Sequence, residues 1–394
     1  MNKPAILGGK PAFTPALPFL RPFLPSYEVM ENDLKSIFSS GILTKGKYLK
    51  EYESVLKRHL GVDHAVGVSS CTLGLVMVLR CLELKGNVIV PSFTFPSTIH
   101  AIMWNKLTPL FVDCHNETFN LDPSLVEKAI NSETSAILAV HIFGNPADVE
   151  VLEDIARRYK LKLIFDTAHG FGSELNGKPL GIYGCAEVFS TSPTKLLITG
   201  EGGVVTTGDD ELAEKIRIGI EYGNPGDYDC LFAGLNARLS EINSLTGIYS
   251  FSLLEENAKI RNRLVELYKK YLSSIPGITF QKINGKSSYK DFAILVGSEY
   301  GLSRDHLWRA LESEGVITRR YFYPPNHLQK ALKYLNSNYN LPVTEEIAER
   351  VLCLPIYSSM SDDVIAKVSE VIYRIYEARD EIKSNQLLAV SSQV

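Results

Sequence analysis

The first half of the chain alternates between short apolar runs and longer stretches of helical length. Five apolar runs of strand length lie between residues 60 and 170, at 64–69, 87–93, 108–113, 135–144 and 161–166. They are continuously apolar rather than alternating, which is typical of strands buried on both faces of a parallel sheet. The pattern therefore predicts a sheet covered by helices on both sides.

The segment 147–160 shows the helical periodicity between the strands most clearly. Its apolar residues are spaced three and four apart and so lie on one helix face: Val149, Leu152, Ile155, Ala156 and Tyr159. Strands that alternate with such helices predict an α/β fold with a mainly parallel central sheet. Ligands of these sheets bind beyond the carboxyl ends of the strands, so residues there are the first candidates for a site.

The pattern changes in the last third of the chain. A polar connecting helix, a strand and two further helices are predicted at 252–274, 289–296, 303–315 and 362–379. The length of 394 residues also favours more than one domain. We therefore predict a large domain with an N-terminal arm over 1–250 and a smaller α/β domain over 251–394, with a frayed tail at 384–394.

Composition and charge indicate the cell compartment and exclude some classes of partner. The net charge is −4 with no basic block, so a nucleic-acid or anionic-membrane partner gains no support. The longest apolar-rich stretch, 65–79, is shorter than the roughly 18–20 residues of a membrane helix. Six scattered cysteines without a C-x-x-C pair, and no signal peptide, predict a reducing cytoplasm. No clustered metal-ligand spacing is present, so no metal is expected.

One lysine is unusual in its surroundings. Lys195 lies in FSTSPTKLLITGEGGVVTT (189–207), between Phe189 and the apolar run LLI, just ahead of a glycine-rich turn. Two interpretations are open. A lysine in a loop is most often an exposed surface residue. Alternatively, the amine is kept partly dry and acts as a nucleophile towards a carbonyl group.

Other candidate groups are each ambiguous when taken singly. Asp166 ends a predicted strand, and it either caps the following loop or is a buried carboxylate that needs a cation. The segment SSCTLGL (69–75) lies where a strand enters a helix, and it is either an ordinary N-cap or a phosphate-binding helix N-terminus. Phe95 would by default pack in the core, and His169 would by default be structural.

Together these groups match the requirements of pyridoxal phosphate. This cofactor needs an amine for its aldehyde, a carboxylate for its pyridinium nitrogen, donors for its phosphate and an aromatic wall against its ring. The glycines of GEGG (200–203) precede the strand-like VVTT rather than a helix, so they do not indicate a dinucleotide site.

The order of the motifs resembles the DegT/StrS family of sugar aminotransferases, which are fold-type I pyridoxal phosphate enzymes. The resemblance covers nearly the whole chain, and the lysine segment followed by GEGG is its most specific part. Its other matching segments are at 40–62, 90–98, 165–173, 234–241, 317–329 and 352–363. The fold implied is a large domain with a mainly parallel sheet and a smaller C-terminal α/β domain.

The resemblance implies a role for each matching residue. Lys195 would bind the cofactor covalently and shuttle protons, and Asp166 would pair with the pyridinium nitrogen. His169, where the family usually has glutamine, would pack beside the ring. The remaining contacts implied are Cys71, Thr72 and Ser190 for the phosphate and Phe95 for the ring. Asn236 would reach the cofactor phosphate of a neighbouring subunit, which implies a homodimer with shared active sites.

The resemblance also implies a reaction. L-Glutamate is the usual amino donor, and the sequence is most similar to members that form dTDP-4-amino-4,6-dideoxy-D-glucose by amination of dTDP-4-dehydro-6-deoxy-D-glucose at carbon 4. Candidate contacts of the nucleotide sugar are Arg319, Arg320, Tyr321 and Tyr323, the alternative for an arginine being a surface ion pair. Amination at carbon 3, dehydration of another nucleotide keto sugar and a non-enzymatic regulatory role stay open, although the retained lysine favours transamination.

Overall fold

The computed structural model describes residues 3–335 and 339–384. The predicted tail at 384–394 therefore lies outside the described residues, except for Ser384. The α-helices are α1 (Tyr27–Ser40), α2 (Lys47–Leu60), α3 (Cys71–Cys81), α4 (Pro96–Trp104), α5 (Pro123–Ala129), α6 (Val149–Tyr159), α7 (Asp210–Gly219), α8 (Glu241–Phe251), α9 (Leu254–Leu272), α10 (Arg304–Ser313), α11 (Pro342–Arg350), α12 (Asp362–Glu377) and α13 (Arg379–Ser384).

The first five strands follow the predicted apolar runs closely. The strands are β1 (His64–Val68), β2 (Asn87–Pro91), β3 (Thr108–Val112), β4 (Thr134–Val140), β5 (Lys162–Asp166), β6 (Glu174–Leu175), β7 (Lys178–Pro179), β8 (Ala186–Ser190), β9 (Gly203–Thr207), β10 (Ile278–Phe280), β11 (Phe292–Val296) and β12 (Val351–Leu354). Short 3-10 turns occur at Ala5–Leu7, Ile142–Gly144, Ser298–Tyr300, Asn326–Leu328 and Lys330–Leu335.

A seven-stranded sheet forms the centre of the larger part, in the order β1-β9-β8-β5-β4-β2-β3. Strands β8, β5, β4, β2 and β3 are parallel, whereas β9 is antiparallel to both of its neighbours. The prediction of a mainly parallel α/β sheet is confirmed. Because β1 points the same way as β8, the carboxyl ends of β1, β2, β4, β5 and β8 all open at one edge of the sheet.

Helix α6 shows how the apolar stripe covers the sheet. Val149, Leu152, Ile155 and Ala156 are buried, as the periodicity predicts. Each large apolar side chain buried in this way stabilises the fold by roughly 1.5–3 kcal/mol. Tyr159 differs from the prediction. It is exposed in the last turn, and its hydroxyl donates a hydrogen bond to Glu127 Oε1 over 2.8 Å.

The C-terminal part has a core of its own. Strands β10, β11 and β12 form an antiparallel sheet, and α9 and α12 pack together beside it. Residues near the N-terminus join this core, because Leu17 lies in it and the Ala5 N–H donates to Glu314 Oε1 over 2.8 Å. The domain boundary at residue 250 stays a prediction. The N-terminal arm, which was assigned to the large domain, packs against the C-terminal part.

Two properties of residues 3–335 and 339–384 bear on possible partners. No helix within these ranges is both long enough and apolar enough to cross a bilayer. The same residues contain no group of three or more His, Cys, Asp or Glu side chains placed to hold a metal ion.

Candidate active site

Side chains from several strand ends meet in one cavity of about 310 Å³. The predicted residues that line it are Cys71, Thr72, Phe95, Asp166, His169, Ser190, Lys195 and Tyr321. They follow β1, β2, β5 and β8, with Tyr321 added by the C-terminal part. The fold therefore brings these candidates together at the sheet edge where a ligand is expected.

Asp166 is a buried carboxylate at the end of β5. Its Oδ2 accepts a 2.7 Å hydrogen bond from the Thr98 hydroxyl, and its Oδ1 accepts the Ala168 N–H over 3.1 Å. Burial raises the pKa of Asp166, although these two hydrogen bonds and the nearby Lys195 oppose the rise. The carboxylate thus caps its loop and also faces the cavity, where a cationic ligand would stabilise its charged form.

The Lys195 segment is anchored on both sides. The Lys195 N–H donates to the Ser192 carbonyl over 3.0 Å, and Leu196, Leu197 and Ile198 are buried. Burial, and after it the positive charge of Lys290, lowers the pKa of the Lys195 amine to about 8. These observations favour a partly dry nucleophilic amine over an exposed loop lysine.

The lowered pKa of Lys195 leads to a prediction about cofactor uptake. Only the neutral amine attacks an aldehyde, so we expect covalent uptake of pyridoxal phosphate to speed up with pH and to level off above about pH 8. An unperturbed lysine, with a pKa of 10.5, would give a rate that keeps rising well beyond that pH. Stopped-flow absorbance on cofactor-free protein measures the rate, with Lys195→Ala as the control for non-covalent binding.

The start of α3 supplies hydrogen-bond donors to the cavity. Ser70, which the sequence did not single out, is the N-cap, and its Oγ accepts the Leu73 N–H over 3.2 Å. Thr72 is therefore not needed as the cap, and it lines the cavity together with Ser190 from the end of β8. A helix N-terminus with two hydroxyls beside it suits a phosphate group.

Gly203 explains part of the GEGG motif. A Cβ at this position would lie 2.7 Å from the Cys71 nitrogen and 2.7 Å from the Phe189 carbonyl oxygen. Strand β9 therefore passes against the first residue of α3 only because residue 203 has no side chain. The glycine permits the close approach of β9 to the start of α3, which agrees with the rejection of a dinucleotide site.

Gly203→Ala is expected to weaken binding of pyridoxal phosphate roughly 10-fold. The added methyl group must displace β9 or the start of α3, and such overpacking costs about 1–3 kcal/mol. Titration of cofactor-free protein measures the affinity. Gly208→Ala is the matched control, because its Cβ would lie 3.7 Å from the nearest atom, Asp63 Oδ2. Equal affinities of the two variants would contradict the role given to Gly203.

His169 also lines the cavity, and its contacts define the orientation and the protonation of its ring. Its Nδ1 accepts the Phe143 N–H over 3.1 Å, and its ring stacks on Phe143 with centroids 6.3 Å apart. Burial lowers the pKa of His169 well below its usual value, and the charges of Lys195 and Lys290 add to the effect. The neutral ring consequently has its proton on Nε2, which is a donor suited to an anionic oxygen.

Several residues in and behind the cavity wall were not identified from the sequence. Thr98 holds Asp166, and a buried ion pair joins Lys290 to Asp291. The only sequence signal for the pair was two adjacent opposite charges before the apolar run of β11. Phe95 was expected in the core by default, but its side chain is 53% exposed and lines the cavity.

Four predicted residues lie outside the cavity wall. Arg320 pairs with Asp305 over 3.1 Å and covers the ring of Trp308, and Arg319 lies over the ring of Phe19. Tyr323 stacks with the guanidinium groups beside it, and Asn236 is exposed on the surface. The roles given to Arg319, Arg320, Tyr323 and Asn236 stay predictions.

Comparison with known proteins identifies the family. Residues 27–373 match the DegT/DnrJ/EryC1/StrS aminotransferase family. The chain belongs to this aminotransferase family. It is 33% identical over 368 residues to the dTDP-4-amino-4,6-dideoxy-D-glucose transaminase of Escherichia coli, covering 92% of this chain and 97% of the relative.

Two solved structures extend the comparison. The crystal structure of DesI in the presence of its TDP-sugar product superposes with a TM-score of 0.92 at 32% identity, covering 97% of this chain and 98% of DesI. The structure of NtdA from Bacillus subtilis with bound pyridoxamine phosphate gives a TM-score of 0.85 at 28% identity, covering 92% of this chain and 86% of NtdA.

The aminotransferase uses pyridoxal phosphate, and its cavity fits this cofactor. Asp166 is a buried anion that a pyridinium nitrogen would neutralise, and Lys195 offers an amine with a pKa of about 8. The start of α3 and Ser190 offer donors for the phosphate, and the Cβ that Gly203 lacks would crowd that turn. The predicted fold type, the cofactor and the class of enzyme are thus confirmed.

Proposed function

We propose that the enzyme transfers the amino group of L-glutamate to carbon 4 of dTDP-4-dehydro-6-deoxy-D-glucose, forming dTDP-4-amino-4,6-dideoxy-D-glucose and 2-oxoglutarate. The observation that supports amino transfer most directly is that Lys195 and Asp166 line one cavity. The names of the E. coli relative and of the DesI complex support the choice of a dTDP-linked amino sugar.

The chemistry of this chain's residues follows from their environments. Bound pyridoxal phosphate supplies an electron-accepting ring that stabilises negative charge on the carbon next to the transferred nitrogen. Asp166 keeps the ring nitrogen protonated through a charge-assisted hydrogen bond. The Lys195 amine removes the proton of the donor's α-carbon, because its lowered pKa leaves a substantial neutral fraction near pH 7. With its proton on Nε2, His169 would be a donor for the phenolic oxygen of the bound ring.

We further propose that the active sites are shared in a homodimer. An apolar groove of about 540 Å³ adjoins the cavity at Thr72, and Trp104 in this groove is 78% exposed. Leu235 also lines the groove, next to Asn236 in sequence. A second copy that covers this groove would bury its apolar surface and bring its own Asn236 towards the phosphate turn.

Complementation tests the shared site. Lys195→Ala and Asn236→Ala homodimers are each expected to be nearly inactive, whereas a mixture that exchanges subunits should regain activity. The regained activity would come from heterodimers in which one site has both Lys195 and Asn236. Light scattering gives the size of the assembly. A dimer whose mixture stays inactive would contradict the shared site.

The reaction is tested by offering the holoenzyme glutamate and several nucleotide keto sugars. We expect proton NMR of the product to place the new amine on carbon 4 of the dTDP-linked hexose. An amine on carbon 3 would instead identify a carbon-3 aminotransferase, and ammonia release would identify a dehydratase. No amino transfer to any sugar would favour a regulator.

The cytoplasm is the compartment that we propose for the enzyme. All six cysteines are free thiols: Cys71, Cys81, Cys114, Cys185, Cys230 and Cys353. Free thiols persist in a reducing compartment. Cell fractionation with antibody detection checks the location, and recovery outside the cytoplasm would contradict it.

A further inference from the structure

Two cations and one anion are buried at the start of β11, in and behind the cavity wall. Lys290 and Asp291 line the cavity with 5% and 2% of their surface exposed, and Arg261 of α9, behind them, is 3% exposed. The Lys290 ammonium lies 2.8 Å and 3.0 Å from the two carboxylate oxygens of Asp291. Arg261 Nη1 donates to the backbone oxygens of Tyr289 and Lys290 over 3.4 Å and 3.2 Å.

This cluster has an excess of one positive charge. Burial lowers the pKa of Arg261 to about 10, so its guanidinium stays charged at neutral pH, and Asp291 is the anion that acts on it. Arg261 Nε is buried and has no hydrogen-bond partner among the described residues. Since an uncompensated buried charge is unfavourable, the cluster is suited to bind one more anion.

The other charged groups of the cavity narrow the choice of anion. Lys195 and Asp166 serve the cofactor, and the third acidic residue of the wall, Glu201, is exposed. Among the described residues that line the cavity, Lys290 is thus the cation left for a substrate. The phosphate donors belong to α3 and β8, separate elements from β11. Glutamate brings carboxylates next to the reacting atoms, whereas the hexose ring to be aminated is uncharged and its diphosphate is attached at carbon 1, on the far side of the ring from carbon 4.

We propose that Lys290, held by Asp291 and supported by Arg261, binds a carboxylate of the amino donor. This inference rests on the proposed function, because it assumes an anionic donor. An ammonium has three N–H donors on a flexible stem, so Lys290 can turn one towards a carboxylate without leaving Asp291. When the uncharged hexose follows, Asp291 continues to pair with Lys290. The space around the reacting carbon thereby accepts a carboxylate of the donor and the uncharged hexose ring of the acceptor in turn.

The test compares Lys290→Met, which removes the charge, with Lys290→Arg, which keeps it. Glutarate, a dicarboxylate without an amine, serves as an unreactive probe whose binding to the holoenzyme is measured by calorimetry. We expect Lys290→Met to weaken glutarate binding on the order of 100-fold, since a buried charge loses its partner. Lys290→Arg should retain most of the affinity. Lys282→Met, at an exposed lysine that pairs with Glu117, is the matched control and should bind like wild type.

Separate half-reactions distinguish this inference from the proposed function. In Lys290→Met, the apparent affinity for glutamate should fall with that for glutarate, while the pyridoxamine form should keep its affinity for the nucleotide sugar. Unchanged glutarate binding in Lys290→Met would overturn the inference. A loss of affinity confined to the nucleotide sugar or to the cofactor would overturn it as well. If wild-type enzyme binds glutarate through Lys290 but does not react with glutamate, the proposed donor is wrong and the carboxylate site stands. Thermal unfolding verifies that each variant is folded.

Discussion

Lys195→Ala should abolish amino transfer, lowering the rate by a factor of at least about 10⁴ while pyridoxal phosphate still binds without a covalent bond. In the proposed reaction the amine has two tasks, holding the aldehyde and moving the proton of the α-carbon. Alanine performs neither, whereas the phosphate turn at α3 and the carboxylate of Asp166 remain. Single-turnover kinetics with glutamate measures the loss, and equilibrium dialysis measures the bound cofactor.

The matched control for this experiment is Lys57→Ala, at an exposed lysine in the last turn of α2. It should react like wild type. A small primary amine added to Lys195→Ala should restore part of the proton transfer, because it supplies the missing base. Turnover near the wild-type level in Lys195→Ala, with no amine added, would mean that another group performs the chemistry.

Asp166→Asn should slow the half-reaction with glutamate roughly 10³-fold, because an amide cannot stabilise a protonated ring nitrogen by charge. The side chain keeps nearly the same shape, so the cavity should still accept the cofactor. Asp227→Asn, at an exposed acid, is the control and should leave the rate unchanged. Equal rates in the two variants would contradict the role of Asp166.

The same substitution should change how the stability of the cofactor-free protein depends on pH. Burial raises the pKa of Asp166 above its usual 3.8, so the folded state holds its proton more tightly than the unfolded state. The contribution of Asp166 to stability is therefore present below pH 3.8 and is lost as pH rises through the folded-state pKa. The free energy of unfolding, measured with urea from below pH 3.8 upwards, should fall with rising pH in the wild-type protein. In Asp166→Asn this part of the fall should be absent.

The central sheet and the placement of Asp166 and Lys195 in one cavity could be predicted from the sequence, because both have local signals. Strands β1 to β5 are continuous apolar runs, and parallel strands place their carboxyl ends together. Asp166 stands at such an end, and Lys195 stands between apolar residues that anchor its loop. The direction of β9 was not predicted, because periodicity does not distinguish parallel from antiparallel pairing.

Other features depend on tertiary contacts that no local pattern reveals. Lys290 and Asp291 resemble an exposed charge pair in sequence, and only the packing of β11 against the larger part buries them in the cavity wall. Arg320 lies beside Trp308 and Asp305 because α10 packs next to it. Tyr159 fits the apolar spacing of α6 but lies in its last turn, where its hydroxyl contacts Glu127.

We propose that the amine of residue 195 bonds to the cofactor, although a second lysine, Lys290, lines the same cavity. Borohydride reduction of the purified holoenzyme would fix the bond, and peptide mass spectrometry would then locate the pyridoxyl group. The modified peptide is predicted to contain residue 195 and to be absent from reduced Lys195→Ala. A pyridoxyl group on Lys290, or on any other lysine of the wild-type enzyme, would contradict the account.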